Sequence, residues 1–496
     1  MARCRCRSFP SGSAGHFDSG PIPGLEATMT TSSSLSAPTV LCIGAGASAS
    51  LLAHHLHRAG FAGRIVLVDR EAGLGPAYAG CDLRHVLNVP AGNMGAARDD
   101  PAGFLRWLNA LGIDPPVAAG DFVPRQLYGR YLEAVLEPLR GSGEVIRVRS
   151  AASALWREGA CWRVELERGG TLLADAVVLA IGNLPPRALP GSAGIDERLI
   201  VNDPWRCRLD ELAPPRAQVL FIGTGLTMVD GVLSLAPAAS EGAHLTALSR
   251  HGRLPLAWGT QASTPFAASG AARSARALMR QVRAQAKAGA AWQQTMNGLR
   301  VQARTLWLQL PPAEQARLLR HGRAFWSIHR HRIPDPSHAR LQALQQTGRL
   351  EIVAGRLEGL RQVGNRVQAR WRRRGRFAVE EAAFDLVVNA TGPESRYDRS
   401  RDPLLRQLFA AGHVRPHPLG LGLDATTAGE LRAADGSLAP HLYSLGAPMQ
   451  GVLFECTAIP DIRDAAQDLA ALLCRRLQAV PASVPQLTPG ATADRE

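Results

Sequence analysis

Two stretches of this chain share one pattern, and that pattern constrains the fold more than anything else in it. Thr39-Val-Leu-Cys-Ile runs into Gly44-Ala-Gly46-Ala-Ser48-Ala49, then into Leu51, Leu52 and Leu56 at helical spacing. Gln218-Val-Leu-Phe-Ile runs into Gly223-Thr-Gly225-Leu-Thr227-Met and on to Val229. Each reads as strand, tight turn and helix. The first glycine allows the turn, the second lets a pyrophosphate approach the backbone, and a small residue such as Ala49 at the third place packs helix on strand. The helix N-terminus then turns free N–H groups toward the phosphates. Ser48 and Thr227 fall inside these turns and join the glycines as candidate cofactor contacts.

The strand that follows each turn carries the next signal. Ile65-Val-Leu-Val68 ends in Asp69, whose carboxylate suits the hydroxyls of an adenosine ribose. Leu245-Thr-Ala-Leu248 ends instead in Ser249 and Arg250. This removes the acid that would repel a 2′-phosphate and supplies a cation and a hydroxyl, which favours NADP at the second site. A solvated arginine in an arginine-rich chain is the alternative for Arg250.

At 496 residues and 46% apolar composition the chain can bury two or three cores. Its formal charge of +14 raises nucleic acid or an anionic membrane as partners. The cations are scattered, however, and almost all are arginine, with Lys287 the only lysine, so the balance reads as compositional bias and neither partner is expected. The eight cysteines form no C-x-x-C pair and no zinc spacing. They read as thiols in a reducing, cytoplasmic compartment and count against a dithiol redox centre. No metal site is expected.

Residues 1–37 lack periodicity and an apolar signal core, and are expected to be disordered, as is the tail over 481–496. Translation starting at Met29 stays open. Between the nucleotide signatures, Phe104, Leu105 and Leu108, then Tyr128, Leu132 and Leu136, recur at helical spacing as core positions. From Pro255 to about Leu344 the period is helical and strands disappear, so an α-helical insertion over 255–345 is expected in the second nucleotide domain. It includes Phe325-Trp-Ser-Ile-His-Arg-His-Arg332. His329 and His331 point to different faces and no acid accompanies them, which leaves a basic clamp for an anionic substrate or a structural tie.

The segments Gly73 to Tyr78, His85 to Met94, Pro101 to Leu108 and Phe122 to Leu132 resemble a group of bacterial FAD/NAD(P)-binding proteins, most without assigned activity. That group is similar to the two-dinucleotide-domain flavoproteins that include the N-hydroxylating and Baeyer–Villiger monooxygenases, and the resemblance runs from about residue 40 to 475. It implies an α/β fold of two Rossmann-like dinucleotide-binding domains. A discontinuous FAD domain over 38–200 and 380–480 would enclose an NAD(P) domain over 201–379. It also implies FAD at Gly44 to Ala49 and Asp69, with Gly73 to Tyr78 passing beside the flavin and Asn88 and Met94 near the isoalloxazine; a glycine loop with Asn88 and Met94 as buried structural side chains is the alternative.

Within the same resemblance the chain leaves the first domain at Gly182, returns at Ala390-Thr391-Gly392, and contacts the FAD pyrophosphate or ribityl chain near Gly446. This chain has Gly446-Ala-Pro where many relatives have Gly-Asp, so backbone N–H groups would have to serve. Glu455 and Thr457 are flavin-side polar candidates or a helix cap.

The function expected is an NADPH-dependent flavin oxidoreductase, foremost a monooxygenase using molecular oxygen on a small polar substrate. A reductase feeding a quinone or protein partner, and a non-catalytic FAD/NADP-binding protein, are the alternatives. No catalytic acid or base stands out, and a homo-oligomer stays open.

Overall fold

The computed structural model describes residues 37–71, 74–78, 82–259, 273–289 and 291–478. The expectations for both termini, for Met29 and for Gly73 lie outside the described residues.

The chain opens with β1 (Thr39–Ile43), α1 (Ala47–Arg58) and β2 (Arg64–Asp69). After α2 (Gly103–Ala110) and α3 (Arg125–Gly141) come β3 (Val145–Arg149), a small antiparallel sheet of β4 (Ala152–Glu158), β5 (Cys161–Leu166) and β6 (Thr171–Ala174), and then β7 (Ala176–Leu179). β8 (Ile200–Val201), α4 (Leu209–Leu212), β9 (Gln218–Ile222), α5 (Leu226–Ser240) and β10 (His244–Ser249) begin a second unit. Four helices interrupt it: α6 (Ala275–Lys287), α7 (Trp292–Gln309), α8 (Pro312–Arg330) and α9 (Asp335–Gln346). β11 (Leu350–Val363), β12 (Arg366–Arg373), β13 (Val379–Phe384) and β14 (Leu386–Asn389) complete it. The chain ends with α10 (Pro403–Ala410), β15 (Glu430–Arg432), β16 (Leu438–Ser444), α11 (Gln450–Leu453) and α12 (Ile459–Gln478).

The strands sort into two similar sheets. The first runs β15-β16-β7-β1-β2-β3, parallel from β16 to β3, and the second runs β13-β12-β11-β10-β9-β14-β8, parallel from β11 to β8. In both, strand order reverses beside the strand that carries the glycine turn, and ligands of open α/β sheets bind at such a switch point. The central strands are apolar throughout because helices or a second layer cover both faces. Val40, Cys42, Ile65 and Leu67 pack toward α1, α3 and α12, while Leu41, Ile43, Val66 and Val68 pack on the small sheet and α10.

Two boundaries differ from the sequence expectation. β14 hydrogen-bonds β9, with Asn389 opposite Ile222, so residues 380–389 lie with the second sheet. β8 pairs with β14, and Leu189 and Ile195 pack with Trp371 and Phe384, so the residues between Gly182 and the expected bound at 200 lie with the second unit. β11 runs as far as Val363 because Leu357 and Leu360 reach the same cluster while Arg356, Glu358 and Arg361 alternate outward along a twisted ribbon with β12.

Candidate functional site

The two glycine turns share their strand-end hydrogen bonds. Gly44 N donates to Val68 O at 2.8 Å, as Gly223 N does to Leu248 O at 2.8 Å. Asp175 accepts from Thr39 N at 2.7 Å and Asp385 from Gln218 N at 2.7 Å, pinning β7 to β1 and β14 to β9. The first glycine of each turn has a φ only glycine tolerates freely, +102° at Gly44 and +119° at Gly223. A Cβ on Gly44 would stand 2.9 Å from Ala180 C, and one on Gly223 would stand 2.5 Å from Ala390 C, so the neighbouring strand ends exclude any side chain.

The second glycines behave differently. A Cβ on Gly46 would meet only Leu74 O at 3.5 Å, and one on Gly225 would meet nothing within 4 Å. Space stands open in front of both, and α1 and α5 start there without a side-chain cap or an acid in the first turn. Unpaired helix N–H groups facing open space are what a pyrophosphate requires, so the residues present fit a dinucleotide at each turn.

Asp69 accepts from Ala45 N at 2.8 Å and from Glu71 N at 3.2 Å, which holds its carboxylate at the rim of the first turn. Each oxygen keeps a lone pair for a ribose hydroxyl. At the second turn Thr224 Oγ1 donates to Arg253 O at 2.6 Å, so the 2.9 Å contact between Thr224 and Ser249 is donated by Ser249. Ser249 also accepts from Gly252 N at 3.1 Å. Its one proton is committed to the turn, so the hydroxyl does not donate to a phosphate as expected.

Arg250 remains exposed with no carboxylate partner among the described residues. Arg253, stacked 4.0 Å over Phe325, and Arg374, 3.4 Å from His251 Nδ1, surround the same corner. Burial and these arginines push the His251 pKa down.

The 82–88 loop, which ends at Asn88, joins the two units. Arg84 pairs with Asp82 and with Asp210 of α4 and donates to Ser234 O at 2.8 Å; Ser234 Oγ in turn lies 2.8 Å from His85 Nε2. Arg125 reaches Asp230 at 3.3 Å, and burial raises the Asp230 carboxyl against the pull of Arg125 and His85. Trp258 donates from its indole to Asn88 O at 3.2 Å and packs against Phe122.

The helical insertion docks on the segment after Gly446. Trp307 Nε1 donates to Gly451 O at 2.8 Å, Trp326 Nε1 donates to Glu455 at 2.8 Å, and buried Arg330 pairs with Glu455 at 2.9 Å and with Asp461 at 3.6 Å. Glu455 therefore anchors the insertion, while Thr457 is exposed. The Phe325-to-Arg332 segment is the structural tie, made to the returning first unit. Burial and the arginines around it push His331 down to about 4.

Residues 41–184 match the FAD-NAD(P)-binding family. No curated protein matches the chain. In fold it is similar to the reduced ornithine hydroxylase of Pseudomonas aeruginosa, with 15% identity and a TM-score of 0.60 over 89% of this chain and 100% of that one. It is similar likewise to the cadaverine monooxygenase of Erwinia amylovora, with 14% identity and a TM-score of 0.62 over 92% and 99% of the two chains. L-lysine 6-monooxygenase from Pseudomonas syringae matches at 15% identity and a TM-score of 0.61 over 88% and 99%. The fold is that of two-dinucleotide-binding-domain flavoproteins.

The structure gathers Gly44, Gly46, Ser48, Ala49, Asp69 and Gly446 at the first turn. Gly446, at φ +82°, sits so close to α1 that a Cβ there would fall 2.5 Å from Ser48 Oγ. Ala49 is fully buried and packs, as its fingerprint position requires. Gly223, Gly225, Thr227, Ser249 and Arg250 gather at the second turn, and so do Thr391 and Gly392, because Ala390 forms the wall behind Gly223. Thr391 Oγ1 donates to Asn389 at 2.7 Å. The chain crosses back just beyond it, where Glu394 bridges Leu184.

Met94 does not reach either opening: it is 1% exposed inside the α1–α3 core cluster, held there by its apolar neighbours. The interdomain groups Arg84, Asp210, Ser234 and Trp258 were not legible as site residues. The sequence does carry a signal for this corner: Asp175-x-Val-Val-x-Ala-x-Gly182 recurs as Asp385-x-Val-Val-x-Ala-x-Gly392 and marks both switch points.

Proposed function

We propose that this chain is an FAD-containing, NADPH-dependent monooxygenase acting in the cytoplasm on a small polar substrate. The observation that carries the reading is the pair of equivalent glycine turns, each with open space before an uncapped helix at a switch point, joined in one chain. Gly44 to Ala49 and Gly446 would hold the FAD pyrophosphate and Asp69 its ribose; Gly223 to Thr227 would hold the NADPH pyrophosphate. Arg250 would meet the 2′-phosphate, helped by a corner with several arginines. The flavin, when bound, supplies hydride acceptance and oxygen activation.

The chain's own residues position the two nucleotides and limit water. The Arg84 and Trp258 contacts fix one unit against the other, and the Arg330, Trp326 and Trp307 contacts hold the insertion over the returning segment. A dithiol reductase is disfavoured, because the sequence holds no C-x-x-C pair and burial pushes the Cys42 thiol up to about 12, opposite to a reactive thiol.

The neighbours named above act on ornithine, cadaverine and lysine, so small amines are the first substrates to test. Oxygen uptake and NADPH oxidation, with mass analysis for a hydroxylated amine, test the reading. Amine-dependent product formation supports it; fast quinone reduction with no oxygenated product moves the reading to a reductase.

A further inference from the structure

The helices of the insertion meet through a small apolar cluster and still leave a space between them. α6, α7 and α8 surround a cavity of about 800 Å³, a size suited to a whole organic ligand. Close-packed interiors leave few voids larger than a water molecule, so three helices arranged around such a space are not a finished core. The walls are apolar, with Leu278, Met296, Leu299 and Leu306 from the small cluster of the insertion. One end is aromatic: Phe454 lies 4.8 Å from Trp307 in a stacked arrangement and 5.4 Å from Trp326.

Phe454 is held there at a cost. Its φ of +63° and ψ of −54° place it in the γ-turn region, and Glu455 N donates to Leu453 O at 2.8 Å across it. A bulky residue in that conformation is strained, and strain of this kind collects at binding sites. The strained ring comes from the returning first unit, yet it completes the wall of a cavity in the insertion.

The rim carries the second half of the argument. On α6 the apolar Leu278, Met279 and Val282 face the space, and Arg276, Arg280 and Arg283 stand exposed beside it at three- and four-residue spacing. None of the three has a carboxylate partner among the described residues. Arg323 borders the cavity as well, no acid among the described residues lines it, and Glu314 beside Ala275 is already engaged by Arg317 and by Ala275 N. An apolar chamber under an uncompensated arginine rim is complementary to an amphiphile with an anionic head.

We propose that this cavity, which reaches the Arg250 corner of the second turn through Phe325 and Arg323, binds a single long-chain carboxylate. The chain lies among the α6, α7 and α8 side chains, and the head meets Arg276, Arg280 and Arg283. The concave shape selects one molecule and not a membrane surface. The site stands on its own geometry and does not depend on the reaction proposed above.

The test is titration of the FAD-loaded protein with monomeric dodecanoate, read by the fluorescence of Trp292, Trp307 and Trp326, which line the cavity. Dodecanol serves as the neutral control and anionic phospholipid vesicles as a surface control. Saturable one-site binding of dodecanoate is expected. The variant carrying Arg276→Glu, Arg280→Glu and Arg283→Glu together should weaken dodecanoate by about tenfold or more and leave dodecanol within about twofold. Ala303→Phe, which fills the cavity, should weaken both. Unchanged melting temperature, FAD content and NADPH reduction show that the arginine variant is folded, so it decides the question even if Ala303→Phe fails to fold. Non-saturable binding, equal loss of dodecanoate and dodecanol in the arginine variant, or vesicle binding without monomer binding would each overturn the proposal.

Discussion

Replacing Gly44 and Gly46 by alanine, one at a time, should separate folding from cofactor binding. At Gly44 the methyl group meets the end of β7 at Ala180, and φ +102° is unfavourable for any L side chain. Backbone strain of about 1–3 kcal/mol, added to displacement of a central strand, gives a loss of about 3–5 kcal/mol. That is a large fraction of the roughly 5–15 kcal/mol that holds a typical domain. At Gly46 the backbone, φ −71° and ψ −171°, accepts alanine, and the new methyl touches only Leu74 O at an ordinary 3.5 Å. The entropy gain of about 0.4–1 kcal/mol offsets a slightly poorer helix cap, so stability should stay within about 0.5 kcal/mol. The methyl instead occupies the approach of a pyrophosphate to the α1 N–H groups, where each charge-assisted hydrogen bond is worth about 1.5–3 kcal/mol. Gly46→Ala should therefore melt like the parent and bind FAD at least about tenfold more weakly, measured by thermal unfolding and by FAD fluorescence titration. Parent-like FAD affinity in Gly46→Ala, or a melting loss equal to that of Gly44→Ala, would refute the reasoning.

The second turn allows a matching test: Arg250→Ala should weaken NADPH by about 1–3 kcal/mol and leave NADH nearly unchanged, as measured by calorimetry, since only the 2′-phosphate contact is lost. Acid should destabilise the fold early. Burial, followed by Arg58, lowers His55 from 6.5 to about 4, so the unfolded chain takes up its proton first. The stability this neutral histidine preserves is complete above about pH 6.5 and is lost as pH falls toward 4, by about 1–3 kcal/mol; His55→Gln should flatten that part of a denaturant-midpoint profile. Glu455→Gln removes the main countercharge of buried Arg330, and a loss of about 2–4 kcal/mol is expected, with faster proteolysis within the insertion.

The sequence resolves the parts of this fold whose signals are local. β1 and β9 announce themselves because parallel strands buried on both faces are unbroken apolar runs, and Gly44 and Gly223 stand where only glycine fits. Asp69 is legible because its strand length fixes where it ends. The failures are places where partners lie far apart in sequence. Between the two readings of Met94 the local pattern could not choose, and Phe104, Tyr128 and other distant residues close over it. Ser249 looked like a phosphate donor because Thr224, which takes its proton, lies 25 residues away. Glu455 meets Trp326 and Arg330 across about 125 residues, and no pattern near position 455 encodes that contact.

The measurement closest to the central claim is the absorption spectrum of the purified protein before and after anaerobic addition of NADPH. The account predicts a yellow, FAD-containing protein whose visible flavin bands bleach with NADPH, far more slowly with NADH, and return on admitting air. A protein that takes up no FAD, or one whose bound FAD stays oxidised in excess NADPH, would contradict it.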